Sequence, residues 1–241
     1  MPVGFMNSLR RLGRRRPLLG VVLTVVLAVG LLAGYIAWSP AGGVSSGTGQ
    51  ENTDITKQME EWQRAAGEQI SQREAEIAEL EKQVQEKPQD AGLWLKLGDN
   101  RYEVGSLYLL VNNDMSKAEA SFKGALECYR KVQELNPQEK GLNLKIAKTA
   151  VFLGDNALAE TNYSQAVASD PKDNNARMSY AMFLALVKSD YKGAIAQWQE
   201  ILNNNPDPEM ADYVREMIKQ AEESQKAAEA GSEKPDSGSG Q

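Results

Sequence analysis

Among the side chains that most often carry acid/base or metal chemistry, this 241-residue sequence has thirty-three carboxylates, one thiol and no imidazole. Without histidine, the commonest general base, metal ligand and near-neutral proton switch are all missing. Ser-His catalysis, zinc hydrolysis and haem ligation through histidine are thereby excluded. Cys128 has no second cysteine to pair with and no histidine to activate it. The sequence therefore places it as a partly buried helix residue between Glu127 and Tyr129, with an intermolecular or redox role as the alternative. The acidic residues could form an acid/base pair, which is the enzyme alternative. They fall instead on solvated helix faces, with no glycine-rich phosphate loop or metal-spaced cluster beside them. The expectation is a protein that is not an enzyme, with no catalytic residue, metal or cofactor.

The residue types that recur at fixed spacing belong to packing and recognition. Ala125, Tyr129, Val132 and Pro137 are followed by Ala159, Tyr163, Ala166 and Pro171, then by Ala194, Trp198, Ile201 and Pro206. The prolines fall 34 and then 35 residues apart, and a fixed period in that range marks helical hairpins stacked in a row. These residues resemble the tetratricopeptide repeat family, whose helix A carries Trp, Leu-Gly and an aromatic and whose helix B carries Ala, an aromatic, Ala and Pro. Trp94, Leu97 and Gly98, with Tyr102 nearby, match helix A of the first repeat. The resemblance covers roughly residues 75–207, the first part only as a helix-B half ending at Pro88. It implies an all-α, right-handed superhelix with three repeats at 89–139, 140–173 and 174–207.

Within that frame, small residues at Gly98, Ala147 and Ala181 sit where helices approach, and Leu97, Ile146 and Tyr180 fill the space between. Gly154-Asp155 supplies the turn between helices in the second repeat, and Lys188-Ser189-Asp190 replaces it in the third with one extra residue. Asn143 and Arg177 stand where the family often has Trp. The first repeat carries about 15 additional residues within Glu103 to Gly124, with a turn signal at Asn112 to Asp114. The simplest outcome is a taller hairpin, and a loop lid is the alternative.

The resemblance also implies a peptide groove along one face of each helix A. Rows at helical spacing are Leu95, Asp99 and Tyr102, then Leu144, Lys148 and Val151, then Met178, Met182 and Ala185. Such a lining suits an amphipathic helix or an extended apolar segment of a protein partner, with Lys148 as its one cation. Alternatively, the chain's own N-terminal helix or its taller first hairpin fills the groove.

The remaining elements set where this domain works. Arg10, Arg11, Arg14, Arg15 and Arg16 precede an uncharged run, so residues 1–16 are a cytoplasmic basic segment and 17–38 a transmembrane helix. A cleaved signal peptide is the alternative. No basic residue follows until Lys57, so the repeats are expected on the extracytoplasmic side of the cell membrane, below a flexible linker at 39–51. Beyond residue 38 the net charge is −11, which argues against nucleic acid and anionic lipid.

A long helix is expected over 52–88, with Ile55, Met59, Trp62 and Ala66 at steps of four, three and four, and Ile70, Ile77, Leu80 and Val84 after a register shift near Gly67. It caps the repeats or, alternatively, forms a coiled-coil homodimer through residues 54–87. A capping helix at 208–230 begins at Asp207-Pro208-Glu209, and a disordered tail comes after it at 231–241. The whole looks like the membrane-anchored tetratricopeptide proteins of bacterial envelopes, which implies a non-catalytic scaffold or assembly factor. One group of these presents apocytochrome c for haem attachment, and residues 77–97 resemble its entry to the repeats. That group usually has a second membrane helix, absent here.

Overall fold

The computed structural model describes residues 51–232, with side chains from 61 to 230. The predicted segments 1–16 and 17–38, the linker up to residue 50 and the tail beyond 232 lie outside the described residues. Those described are all-α: α1 Glu51–Glu86, α2 Ala91–Leu110, α3 Met115–Leu135, α4 Leu142–Phe152, α5 Asn156–Ser169, α6 Asn174–Phe183, α7 Tyr191–Asn203 and α8 Pro208–Ser232. A π-helical turn, Leu184–Lys188, extends α6. Among the described residues no helix is long and apolar enough to cross a membrane.

Aspartate starts most of these helices. Asp90 Oδ1 accepts from the backbone N–H of Gly92 and Leu93 at 2.9 and 3.1 Å. Asp114, Asp173, Asp190 and Asp207 cap α3, α6, α7 and α8 in the same manner. Each carboxylate satisfies N–H groups that have no partner inside the helix and places negative charge at the positive end of its dipole. Left-handed residues close the turns ahead of α3, α5 and α7: Asn113, Gly154 and Ser189 have φ of 48°, 73° and 56°. Glycine adopts that conformation without strain, while Asn and Ser carry a small cost.

The chain divides into two compact units, one ending at Asp155 and one beginning at Asn156. In the first, α1 packs on α2, α2 on α3 and α3 on α4. The insertion between residues 103 and 124 is helix on both sides of a short turn, so α2 and α3 run for 20 and 21 residues against 11 for α4. This is the taller hairpin. Leu80 and Val84 of α1 pack with Leu97 and Cys128 at one end of the hairpin, while Ile70 packs with Val104, Tyr108, Leu109, Ala118 and Phe122 toward the other. The step from Ala66 to Ile70 breaks a heptad but not the face of a straight helix, because a four-residue step advances only about 40° around a 3.6-residue turn.

In the second unit, α5 packs on α6, α6 on α7 and α7 on α8. Ala159, Ala181, Ala194, Ile201 and Val214 are fully buried. The π turn takes up the extra residue of the third repeat. Asp190 N–H reaches back six residues to Leu184 O at 2.8 Å, where Asp155 N–H reaches back five to Ala150 O at 3.0 Å. One additional residue is absorbed as a wider turn, and helix α7 keeps its packing.

Candidate protein-binding site

Each predicted row lies on a helix A, and its two flanks differ. On α2, Gly98 lies against α3 so closely that an added Cβ would stand 2.6 Å from Tyr129 Cε1. That approach brings Tyr129 Oη within 2.9 Å of Asp99 Oδ1, to which it donates. Lys145 Nζ of α4 donates to the same oxygen at 2.7 Å. Asp99 is thus held by the chain's own groups. Burial, reinforced by the Asp99 charge, pushes the Tyr129 phenol well above its ordinary range.

Tyr102, one turn on, sits edge-on to Phe122 and Phe152 at 5.6 and 5.7 Å, and those two rings stack at 4.3 Å. Burial likewise raises its phenol. On α4, Leu144 is buried at 9% exposure, while Lys148 and Val151 are half-buried, as is Leu95 on α2. The structure therefore joins the α2 and α4 rows through Lys145 and Phe152, neighbours of the predicted residues. In the second unit, Met178 and Met182 are half-buried on α6, and Ala185 in the π turn is buried.

Three polar residues that organise these faces are not visible as periodic features. Arg101 donates to Glu81 at 2.7 Å, to Gly124 O at 3.2 Å and to Cys128 Sγ at 3.6 Å, tying α1, α2 and α3 together. Arg73 of α1 contacts Glu103 at 2.6 Å and donates to Asn100 Oδ1 at 3.0 Å. Lys145 is the third. Their partners on other helices lie 20 to 46 residues away in sequence, which no helical period reveals. The Pro-x-Asp sequences at Pro88 and Pro171 were an available signal for the caps they precede.

Arg177 has a simpler logic. Trp94 Nε1 donates to Pro88 O at 2.9 Å, and Arg177 Nε donates to Pro171 O at 3.0 Å, in each case six residues back. A guanidinium N–H thus makes the bond that an indole makes in the first repeat.

Cys128 is fully buried, and burial pushes its thiol up to about 11 although the nearby Arg101 acts the other way. It is a core residue with its proton retained at neutral pH. Among the described residues no group of three or more Cys, Asp or Glu could hold a metal ion. Chemically, these faces offer apolar contact, one thioether pair and few uncommitted charges.

No known protein family matches the chain, and no curated protein matches it. A solved structure described as a thermophilic TPR protein from Thermus thermophilus is similar, with 16% sequence identity and a TM-score of 0.39. The alignment spans 66% of this chain and 98% of that one.

Proposed function

We propose that this chain is a non-catalytic scaffold or assembly factor that binds a protein or peptide partner through the helix-A faces of its hairpins. The observation that carries this reading is the state of α6. Ala176, Ala181 and Phe183 are buried, while Met178 and Met182, one turn apart, keep part of their surface in solvent. Flexible thioether side chains in that position suit an amphipathic helix or an extended apolar segment. Leu95, Lys148 and Val151 are the corresponding contacts of the first unit. Asp99, Tyr102 and Leu144 support that face from within.

The membrane part of the proposal rests on sequence: the arginine cluster and the apolar run over 17–38 make a single-pass anchor with its N-terminus in the cytoplasm. The repeats then work outside, and protease added to intact cells digests them. Presentation of apocytochrome c is the narrower form of this proposal, supported by the likeness of residues 77–97.

A photo-crosslinking residue at Met182 in native membranes, followed by identification of the trapped protein, tests the reading. With that partner in hand, Met178→Asp is expected to abolish binding with helicity unchanged, and Lys148→Glu to weaken it several-fold. Unchanged affinity in both variants would remove these faces from the site.

A further inference from the structure

The apolar stripe of α1 is longer than the surface it covers. Ala66, Ile70, Leu80 and Val84 are buried, and Ile70 packs with Tyr108 and Leu109 next to the end of α2. One turn nearer the N-terminus, Trp62 continues the same stripe but is 50% exposed, the most exposed of the large apolar side chains among the described residues. The helix runs on to Glu51, and the sequence continues the stripe with Met59 and Ile55. Charge is distributed around this segment in a definite way. Between Ile55 and Ala66, the positions flanking the stripe are Thr56, Gln58, Gln63 and Ala65, all uncharged, while Lys57, Glu60, Glu61 and Arg64 fall on the far side.

We infer that a second copy of this chain covers the segment before Ala66, with the two α1 helices antiparallel. Flanking charges decide which helices pair, and their absence lets identical helices meet without like-charge repulsion. The orientation follows from the hairpin. From Ala66 onward the stripe already carries α2 and α3, so two parallel helices meeting face to face would drive one hairpin into the other. Antiparallel helices overlap only along their free segments, with Trp62 of each over the first turns of its partner and the hairpins at opposite ends. The predicted coiled coil through 54–87 is thereby shortened to its first third. An overlap of roughly 22 Å gives a contact smaller than those of stable soluble complexes. Pairing is therefore concentration-dependent, and strengthened where copies share a surface.

Pulsed electron spin resonance on the full chain, labelled at Gln72→Cys, tests this directly. Gln72 is exposed, and the native Cys128 is fully buried and stays unlabelled. The antiparallel pair predicts an inter-label distance of roughly 40 Å that grows in amplitude with protein concentration. Trp62→Glu should remove that distance while leaving the circular dichroism unchanged. A distance below about 20 Å would mean parallel pairing and overturn the inference. So would a monomer at every concentration, or a signal that survives Trp62→Glu. None of these outcomes bears on the partner-binding faces.

Discussion

Tyr129 in the first unit and Trp198 in the second occupy the same place in the repeat, yet their polar atoms fare differently. Tyr129 donates to Asp99 at 2.9 Å, whereas the buried Trp198 Nε1 has no partner among the described residues. Counting from the small residues Gly98 and Ala181, the position of Asp99 in the first repeat is that of Met182 in the third. One helix-A face is thus fastened from inside by a carboxylate, a lysine and a phenol. The other carries the thioether of Met182 at the matching position, and Trp198 Nε1 stays without a partner among the described residues. A single repeat position can therefore be tied into the fold or left apolar: where the first unit has committed its polar group internally, the second keeps a half-buried thioether.

The comparison breaks most visibly at Gly98. Gly98→Val should cost about 3 kcal/mol in denaturant unfolding, because its side chain meets a ring whose hydroxyl is pinned. In an Asp99→Ala background the ring can yield, so the double variant should lose less than the sum of the two single losses. Strict additivity would show that Asp99 does not fix the ring.

Alkali should weaken the first unit next. Cys128 is raised to about 11 from 9.0, and Tyr108 to about 12 from 10.0 through its hydrogen bond to Glu74 and its burial. Folding favours the protonated forms, so their contribution is complete below pH 9 and is lost as pH rises through 11 to 12. The loss from Cys128 alone is on the order of 2 kcal/mol. Urea titrations at pH 8 and 11 should show it, and Cys128→Ala should reduce the difference. An identical pH dependence in that variant would count against the buried thiol.

A third contrast sets Arg101 against Arg177. Arg101→Leu should cost about 2 kcal/mol, because the partly exposed guanidinium joins three helices and its loss takes from Glu81 its partner on α2. Arg177→Leu, which gives up bonds to a loop carbonyl and to Gln197, should cost about 1 kcal/mol or less. Equal losses in thermal melts would erase the distinction between the units. The smallest effect sharpens the picture: Met182→Gln offers Trp198 an acceptor and should gain up to about 1 kcal/mol. A lower melting temperature would show that the two positions do not face each other.

Helix-B packing was legible in the sequence because it is periodic. Ala125, Ala159 and Ala194 are fully buried, and Tyr129, Tyr163 and Trp198 nearly so, as their spacing requires. The long first hairpin was legible too, since Asn112 to Asp114 interrupts an otherwise helix-compatible stretch. The groove rows were visible only as spacing. That Asp99 would be held by Tyr129 and Lys145, or Tyr102 enclosed by Phe122 and Phe152, depends on contacts between distant segments that leave no local pattern. Lys148 stood out as the row's cation, while Lys145, three residues earlier, makes the ion pair that joins α2 to α4.

The π turn at Leu184–Lys188 separates two things usually treated as one, residue number and place in the array. A fixed 34-residue window slid along this chain would slip out of phase there, yet Ala181 before it and Ala194 after it are both fully buried. The dependable landmarks are the left-handed residues, Gly154 and Ser189, which mark the same corner whatever the count between them. An alignment or a graft built on those corners stays in step with the fold, and the widened turn marks a place where length can change by one without disturbing the helices beyond it.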